Sequence, residues 1–90
     1  MPLVENSKRA KKNISKLPEK HQEQIKKKIK ELELNPKPSG VKPFYGRANT
    51  FYLHSGLYRI DYEMTPALIE VINVDRKNDD LAYRPLLRNE

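Results

Sequence analysis

The side chains best suited to chemistry are two arginines, Arg59 and Arg76, that stand in strand-like sequence. Arg59 lies in the middle of the alternating stretch LYRIDYEM, where a buried arginine is uncommon unless it has a partner. Arg76 closes the stretch ALIEVINVD, and Lys77 and Tyr83 follow it. If these groups converge on one face of a sheet, they form a phosphate-sized site.

Arg59 is also compatible with a purely structural role. Asp61 and Glu63 share its face of the predicted strand and Glu70 lies on the next strand, so a salt bridge to one of them would satisfy the guanidinium. The same carboxylates would weaken the attraction of this face for phosphate. The sequence leaves both roles open.

A first amphipathic helix is predicted to support these strands. Ala10, Ile14 and Leu17 follow the helical spacing i, i+4, i+7 after the N-cap candidates Asn6 and Ser7. The basic residues of this stretch lie on its other faces, so one side of the helix is apolar.

A second helix is predicted from about Pro18 to Leu34, because proline ends the first helix and suits the first turn of the next. Its apolar stripe consists of Ile25, Ile29 and Leu32. His21, on the same lysine-rich helix, is expected to be solvated. The two helices together form a hairpin with one apolar inner side.

The C-terminal half alternates with the period of β-strands in FYLHS, LYRIDYEM and ALIEVINVD. The alternation places Tyr52, His54 and Arg59 on one face. The helices are expected to cover the other face, which carries five large apolar side chains. These are Phe51, Leu53, Tyr58, Ile60 and Tyr62. Residues 1–4 and 41–45 are candidates for further short strands.

The order of these elements predicts an α+β fold, with two N-terminal helices packed on an antiparallel twisted sheet of about four strands. Ninety residues are enough for one hydrophobic core, so residues 1–90 are predicted to be a single domain. A hydrophobic fraction of 37% with mean hydropathy of −0.88 is polar but does not favour disorder.

The basic charge is concentrated in the first half of the chain. The net charge is +6 and the pI about 9.6; residues 1–45 hold 12 basic and 5 acidic groups, whereas residues 46–90 hold 6 and 7. Positive charge concentrated in one half of a chain is typical of a protein that binds polyanions, although a solvated lysine-rich helix has the same composition. The candidate contacts to a nucleic-acid backbone are Lys20, Lys26, Lys27, Lys30 and Lys42.

The chain contains no cysteine, which excludes disulfides, zinc–thiolate sites and thiol nucleophiles and fits a reducing compartment. No apolar run approaches the roughly 18 residues of a membrane span, and the first ten residues lack the apolar segment of a signal peptide. A cytoplasmic location without a membrane partner is expected.

In the order and spacing of these motifs the chain resembles the RelE/ParE toxin superfamily over roughly residues 3 to 85. The matching segments are SKRAKKNISKLPEKHQEQIKKKIKELELNP, Gly46 after the linker, the strand LYRIDYE and the ending VDRK…Y. The resemblance implies a RelE-like fold and the toxin of a type II toxin–antitoxin pair. RelE-like members are metal-free ribonucleases that cleave messenger RNA in the ribosomal A site, and ParE-like members inhibit DNA gyrase.

The resemblance also implies roles for individual residues. Arg59 matches the mid-strand arginine that contacts the scissile phosphate, and Arg76 matches a second arginine at the end of the last long strand. Tyr83 lies within about one residue of a C-terminal tyrosine of the family. RelE-like ribonucleases often carry two basic residues on the strand before YRI, where this chain has Tyr52 and His54.

Metal-free cleavage of RNA by its own 2′-hydroxyl requires a base, a cation for the phosphorane charge and an acid for the leaving oxygen. Arginine suits the charge role because it stays protonated and binds phosphate oxygens bidentately. The candidates for proton transfer are His54, Tyr52, Tyr83 and Lys77; an imidazole, with an ordinary pKa of about 6.5, is the best suited. Either tyrosine could instead stack on a base, and His54 could equally be an ordinary hairpin-end residue.

The resemblance, taken together with the residues present, leaves three functions open. The first is an endoribonuclease that cleaves ribosome-bound messenger RNA without a metal or cofactor and so inhibits translation. The second is a non-catalytic inhibitor of DNA gyrase, and the third is a degenerate toxin homologue that retains only antitoxin binding. In each case a cognate antitoxin is the expected partner, bound through an amphipathic helix or an added strand.

Overall fold

In the computed structural model, which describes residues 3–76, two helices pack on one face of a five-stranded sheet. The helices are α1, Lys8–Ser15, and α2, Glu19–Leu34. The strands are β1, Leu3–Asn6; β2, Lys42–Pro43; β3, Thr50–Ser55; β4, Tyr58–Met64; and β5, Leu68–Arg76. None of the helices in this part of the chain is long and apolar enough to cross a membrane.

The helix boundaries follow the predicted capping residues. The Ser7 side chain begins α1 by accepting a hydrogen bond from the Ala10 N–H at 3.1 Å, and its hydroxyl donates to the Ile72 carbonyl at 2.7 Å. Pro18 directly precedes α2, as its preference for the start of a helix predicts. Ser7 therefore caps the helix and also ties it to the sheet.

The strand order is β1-β5-β4-β3-β2, with β1 parallel to β5 and every other pair antiparallel. The predicted α+β fold with two helices is confirmed, but the prediction of about four antiparallel strands behind two N-terminal helices is wrong in three respects. The sheet has five strands, it is mixed, and β1, which lies near the short strand considered at residues 1–4, precedes the helices. The parallel pairing joins Leu3 to Leu68, residues that the whole helical hairpin separates in sequence. Local alternation carries no information about such a pairing.

One core lies between the helices and the sheet. The stripe of α2 meets Leu53, Tyr58, Ile60 and Tyr62, and Phe51 packs at the margin of the same cluster. The predicted division of the sheet into a covered apolar face and an opposite polar face is confirmed. We call the side of the sheet that carries Tyr52, His54 and Arg59, away from the helices, the outer face.

A β-bulge interrupts the pairing of β4 with β5. Asp61 pairs with Asn73, but its neighbour Tyr62 pairs with Val71, so Ile72 is an extra residue on β5. Because of this extra residue, side chains after Ile72 change faces relative to strict alternation. Val71 and Val74 are consequently both buried in the core, although they are three residues apart.

His21 contacts the core instead of being fully solvated, contrary to the prediction from the sequence. Its Nδ1 lies 2.7 Å from the Tyr58 hydroxyl, and the two rings meet edge to face with centroids 5.3 Å apart. His21 precedes Ile25 by one helical turn and so lies at the end of the apolar stripe of α2. This contact links the start of α2 to the start of β4.

Candidate functional site

Arg59 is half-buried on the outer face, in the middle of the sheet. In register it lies between His54 on β3 and Asp75 on β5. Its Nε lies 3.0 Å from Asp61 Oδ1, and its Nη2 donates to Asp61 Oδ2 at 3.3 Å. The salt bridge that the sequence allowed to Asp61, Glu63 or Glu70 thus forms along the strand, to Asp61.

Two aromatic rings flank the guanidinium of Arg59. Its central carbon lies 5.3 Å from the centroid of Tyr52 and 5.7 Å from that of Phe44, within the range of cation–π attraction. Phe44 and Tyr52 meet edge to face with centroids 6.4 Å apart. The rings and the carboxylate together hold Arg59 in one orientation while part of its side chain remains open to solvent.

A shallow cleft of about 200 Å³ opens beside this arginine. Its lining consists of Pro43, Phe44, Tyr45, Tyr52 and Arg59. Just past the end of β2 the Phe44 N–H donates to the Thr50 carbonyl at 2.8 Å, so the turn between β2 and β3 keeps the aromatic residues of this segment beside β3. A planar group of modest size can therefore approach the guanidinium from this side.

Asp61 is the buried acid of the site, with 6% of its surface exposed. Burial raises the pKa of its carboxyl above the ordinary 3.8, an effect that the charge and hydrogen bond of Arg59 offset only in part. Asp75 also raises this pKa, whereas the more distant Arg47 lowers it. Oδ1 makes the ion-pair contact with Arg59 but accepts no well-directed hydrogen bond from the described residues.

Three further residues singled out from the sequence lie on the outer face near Arg59. His54 is exposed and opposite Arg59, and its ring centroid lies 5.9 Å from that of Tyr52. Lys42 pairs with Tyr52 across the sheet edge, so its side chain starts from the same face. Tyr52 and His54 thus lie beside Arg59 on the neighbouring strand, and Lys42 starts from the same face on β2, two strands from Arg59.

Other predicted residues are not part of this group. Arg76 pairs with Tyr58, whose ring is in the core. The side chains of Arg59 and Arg76 therefore start from opposite faces of the sheet. The bulge at Ile72 causes this separation, because strict alternation from the buried Val71 would have put residue 76 on the outer face. Lys77 and Tyr83 lie outside the described residues.

The lysines of α2 belong to the helix layer. Lys26, Lys27 and Lys30 are exposed, and α2 covers the sheet face opposite to Arg59. They therefore form a surface separate from the cleft. Any contact that they make to a polyanion is on the other side of the molecule.

Comparison with solved structures establishes the fold. Isolated E. coli RelE toxin is 22% identical, with 99% of this chain and 98% of that chain covered and a TM-score of 0.75. A chain of the intact E. coli RelBE toxin–antitoxin complex is 26% identical, with 87% and 99% covered and a TM-score of 0.72. A chain of the chromosomal ParDE system of P. aeruginosa is 14% identical, with 87% and 98% covered and a TM-score of 0.71.

The protein has a RelE-like toxin fold. No protein-family model matches its sequence, and no curated protein is significantly similar to it. The predicted resemblance is confirmed at the level of three-dimensional structure, with the match to E. coli RelE extending over nearly the whole chain.

Within this RelE-like fold, two parts of the site are not apparent from the sequence. Asp61 was considered as a salt-bridge partner but not as the buried group that orients Arg59; its position two residues along the same strand is the signal for that role. Phe44 and Tyr45 were assigned only to a short strand. Both residues line the cleft, and Phe44 lies beside Tyr52 because its N–H donates to the Thr50 carbonyl of β3, a cross-strand contact that their own sequence does not indicate.

Proposed function

We propose that this protein is the toxin of a toxin–antitoxin pair and cleaves ribosome-bound messenger RNA without a metal. The observation that carries the proposal is the placement of Arg59: a preoriented, partly exposed guanidinium on the open sheet face of a RelE-like fold. A permanent cation held by a carboxylate and two rings needs little reorganisation to meet a phosphate. The remaining N–H groups of Arg59 are the donors to the scissile phosphate.

The proposed reaction is an internal transfer at phosphorus. A base removes the proton of the 2′-hydroxyl, the 2′-oxygen bonds to phosphorus, and the bond from phosphorus to the 5′-oxygen breaks while an acid protonates that oxygen. The products are a 2′,3′-cyclic phosphate and a 5′-hydroxyl. Arg59 stabilises the added negative charge, and loss of one such contact typically costs on the order of 10²- to 10³-fold in rate.

His54 is the proposed base. It pairs with Arg59 on the neighbouring strand, and the Tyr52 ring centroid lies 5.9 Å from the His54 ring centroid and 5.3 Å from the central carbon of the Arg59 guanidinium. A nucleotide whose phosphate binds the guanidinium would therefore present its 2′-hydroxyl on the side of the imidazole. An imidazole titrates near neutral pH and can accept this proton. Tyr83 is the proposed acid, and Lys77 is proposed to contact the substrate. Both proposals rest on the family resemblance.

A cognate antitoxin is the proposed partner. Solved structures with the same fold include a RelE–RelB complex from Pyrococcus horikoshii and RelE bound to an antitoxin peptide.

The protein would act in the cytoplasm, where ribosomes are found, with the exposed lysines of α2 as contacts to ribosomal RNA.

Inhibition of DNA gyrase without RNA cleavage is the second candidate function. The observation that favours it is the presence of two carboxylates, Asp61 and Asp75, beside Arg59, because they reduce the positive potential at the cleft. The fold is shared with a chain of a ParDE system. Tyr52 and His54 stand where RelE-like ribonucleases often have basic residues, which also favours this alternative.

Induced expression of the protein and of Arg59→Ala separates these functions. Primer extension on several messenger RNAs is expected to show cleavage within codons for the wild type and none for the variant, with translation arrested before DNA damage appears. Double-strand DNA breaks with intact messenger RNA would instead indicate gyrase inhibition. Equal growth and intact RNA and DNA for both proteins would indicate a degenerate homologue.

A further inference from the structure

We propose that the cleft beside Arg59 is a subsite for one unstacked nucleobase of single-stranded RNA, with Tyr45 and Tyr52 supplying the aromatic surfaces. The inference rests on the proposed function for the identity of its ligand class. The inference goes beyond the proposed function because it assigns base recognition to residues 44–45, which directly follow β2 and for which the sequence indicated no functional role.

The exposure of Tyr45 is the first observation. Its side chain is 98% exposed, the largest fraction among the exposed large hydrophobic residues of the described chain, yet it lines the cleft. An aromatic ring in water loses the burial that stabilises most aromatic side chains. The neighbouring Phe44 turns inward against Tyr52, so the loop presents one ring to the sheet and one to solvent.

The second observation is the arrangement of chemistry around the cleft. Aromatic rings lie next to the Arg59 guanidinium, and Lys42 starts from the same face on β2, two strands from Arg59. Single-stranded nucleic acids are held in this way, with bases stacked on aromatic side chains while cations follow the phosphates. Arg59 would contact the phosphate and Tyr45 the base of an adjacent nucleotide.

The surroundings favour a base over an apolar partner segment. Among residues 3–76 the other exposed large apolar side chains are Leu3 on β1, Leu34 at the end of α2 and Leu57 in the β3–β4 turn, and none of these three lines the cleft. A protein-docking patch would extend the apolar area, whereas this cleft is small and includes a cation. A flat ring with polar edges, attached to a phosphate, matches its size and charge.

Binding of a labelled short oligoribonucleotide to the purified protein tests the subsite directly. The matched ligand has the same length and phosphate number but lacks the bases. We expect the base-bearing ligand to bind about 5- to 20-fold more tightly, and Tyr45→Ala to remove most of that difference. Tyr45→Phe keeps the aromatic ring and is expected to retain the preference for the base-bearing ligand. Tyr45→Leu keeps apolar bulk without an aromatic face and is expected to lose this preference.

Leu57→Ala is the control, since it removes an exposed apolar side chain in the β3–β4 turn. An unchanged base preference in Tyr45→Ala, or full binding by Tyr45→Leu, would overturn the subsite. If the wild type cleaves ribosome-bound RNA while Tyr45→Ala changes neither KM nor base preference, the subsite fails and the proposed function stands. If the base preference is found but no RNA is cleaved, the ribonuclease assignment fails and the subsite stands.

Discussion

Arg59 and Asp61 form an ion pair along one strand, with Nε 3.0 Å from Oδ1 and Nη2 3.3 Å from Oδ2. The two side chains differ in exposure: 35% of the arginine side chain is accessible, against 8% of the aspartate side chain. The carboxylate is therefore the fixed partner and the guanidinium the accessible one. In the proposed mechanism Asp61 is a positioning residue, and Arg59 is the group that touches the substrate.

The buried carboxyl of Asp61 should make stability depend on pH. Its pKa in the folded protein is raised above 3.8, chiefly by burial, so its contribution to stability is complete below about pH 4 and is lost as the pH rises through the raised value. Urea unfolding of wild type and Asp61→Asn from about pH 3 to about pH 7 measures this effect. We expect the wild type to lose stability relative to the variant as the pH rises. A gain would mean that the attraction of Arg59 outweighs burial.

The contact between His21 and Tyr58 should contribute measurably to stability. Tyr58→Phe removes the hydroxyl and leaves the imidazole without this partner, at an expected cost of about 1 kcal/mol. Chemical denaturation of Tyr58→Phe, His21→Ala and the double variant gives the coupling energy, expected at about 0.5 to 1.5 kcal/mol. Tyr45→Phe is the control, because that hydroxyl is exposed. Additive single effects would show that the pair does not interact.

Tyr62 should cause a loss of stability in alkali. Burial raises the pKa of its phenol to about 12, and the hydroxyl donates to the Pro36 carbonyl at 2.7 Å. The stabilisation is complete below about pH 10 and is lost as the pH rises through about 12. Tyr62→Phe should be less stable than wild type by about 1 to 2 kcal/mol at neutral pH, and the gap should narrow in alkali. A gap independent of pH would contradict this assignment.

The lysines of the helix layer should affect binding to ribosomes without affecting chemistry. Replacing Lys26, Lys27 and Lys30 together by glutamine removes three exposed charges from the side of the molecule opposite to Arg59. If each lysine contacts a phosphate, the slope of log affinity against log salt falls by about 2 to 3. The cleavage rate at saturation should stay unchanged. The triple arginine variant serves as the control and should keep the slope, and an unchanged slope in the glutamine variant would assign these lysines to solvation alone.

Much of the fold was predictable because its signals are local. The stripe of Ile25, Ile29 and Leu32 and the alternation in β3 and β4 correctly divided the molecule into helix layer, covered face and outer face. Residue type and position predict Asn6 or Ser7 as the N-cap of α1, and Ser7 is the one that caps it.

The features that escaped prediction depend on tertiary context. The pairing of β1 with β5 is non-local, and the bulge at Ile72 changes which face Arg76 starts from. An extra residue in a strand has no distinct sequence signal here, because Val71, Ile72 and Val74 all suit a β-strand. Arg59 and His54 therefore lie close together, with Asp61 and Tyr45 beside Arg59, whereas Arg76 starts from the other face of the sheet.

Cleavage of a defined messenger RNA on purified ribosomes tests the role of Arg59 most directly. The wild type is expected to cleave in the A-site codon and leave a 2′,3′-cyclic phosphate, and a single 2′-deoxy substitution at the scissile nucleotide is expected to abolish the reaction. Arg59→Ala should lower the single-turnover rate by about 10²- to 10³-fold, while Arg76→Ala, on the other face, should have a smaller effect. Cleavage of the 2′-deoxy substrate, or equal rates for wild type and Arg59→Ala, would contradict the proposed mechanism.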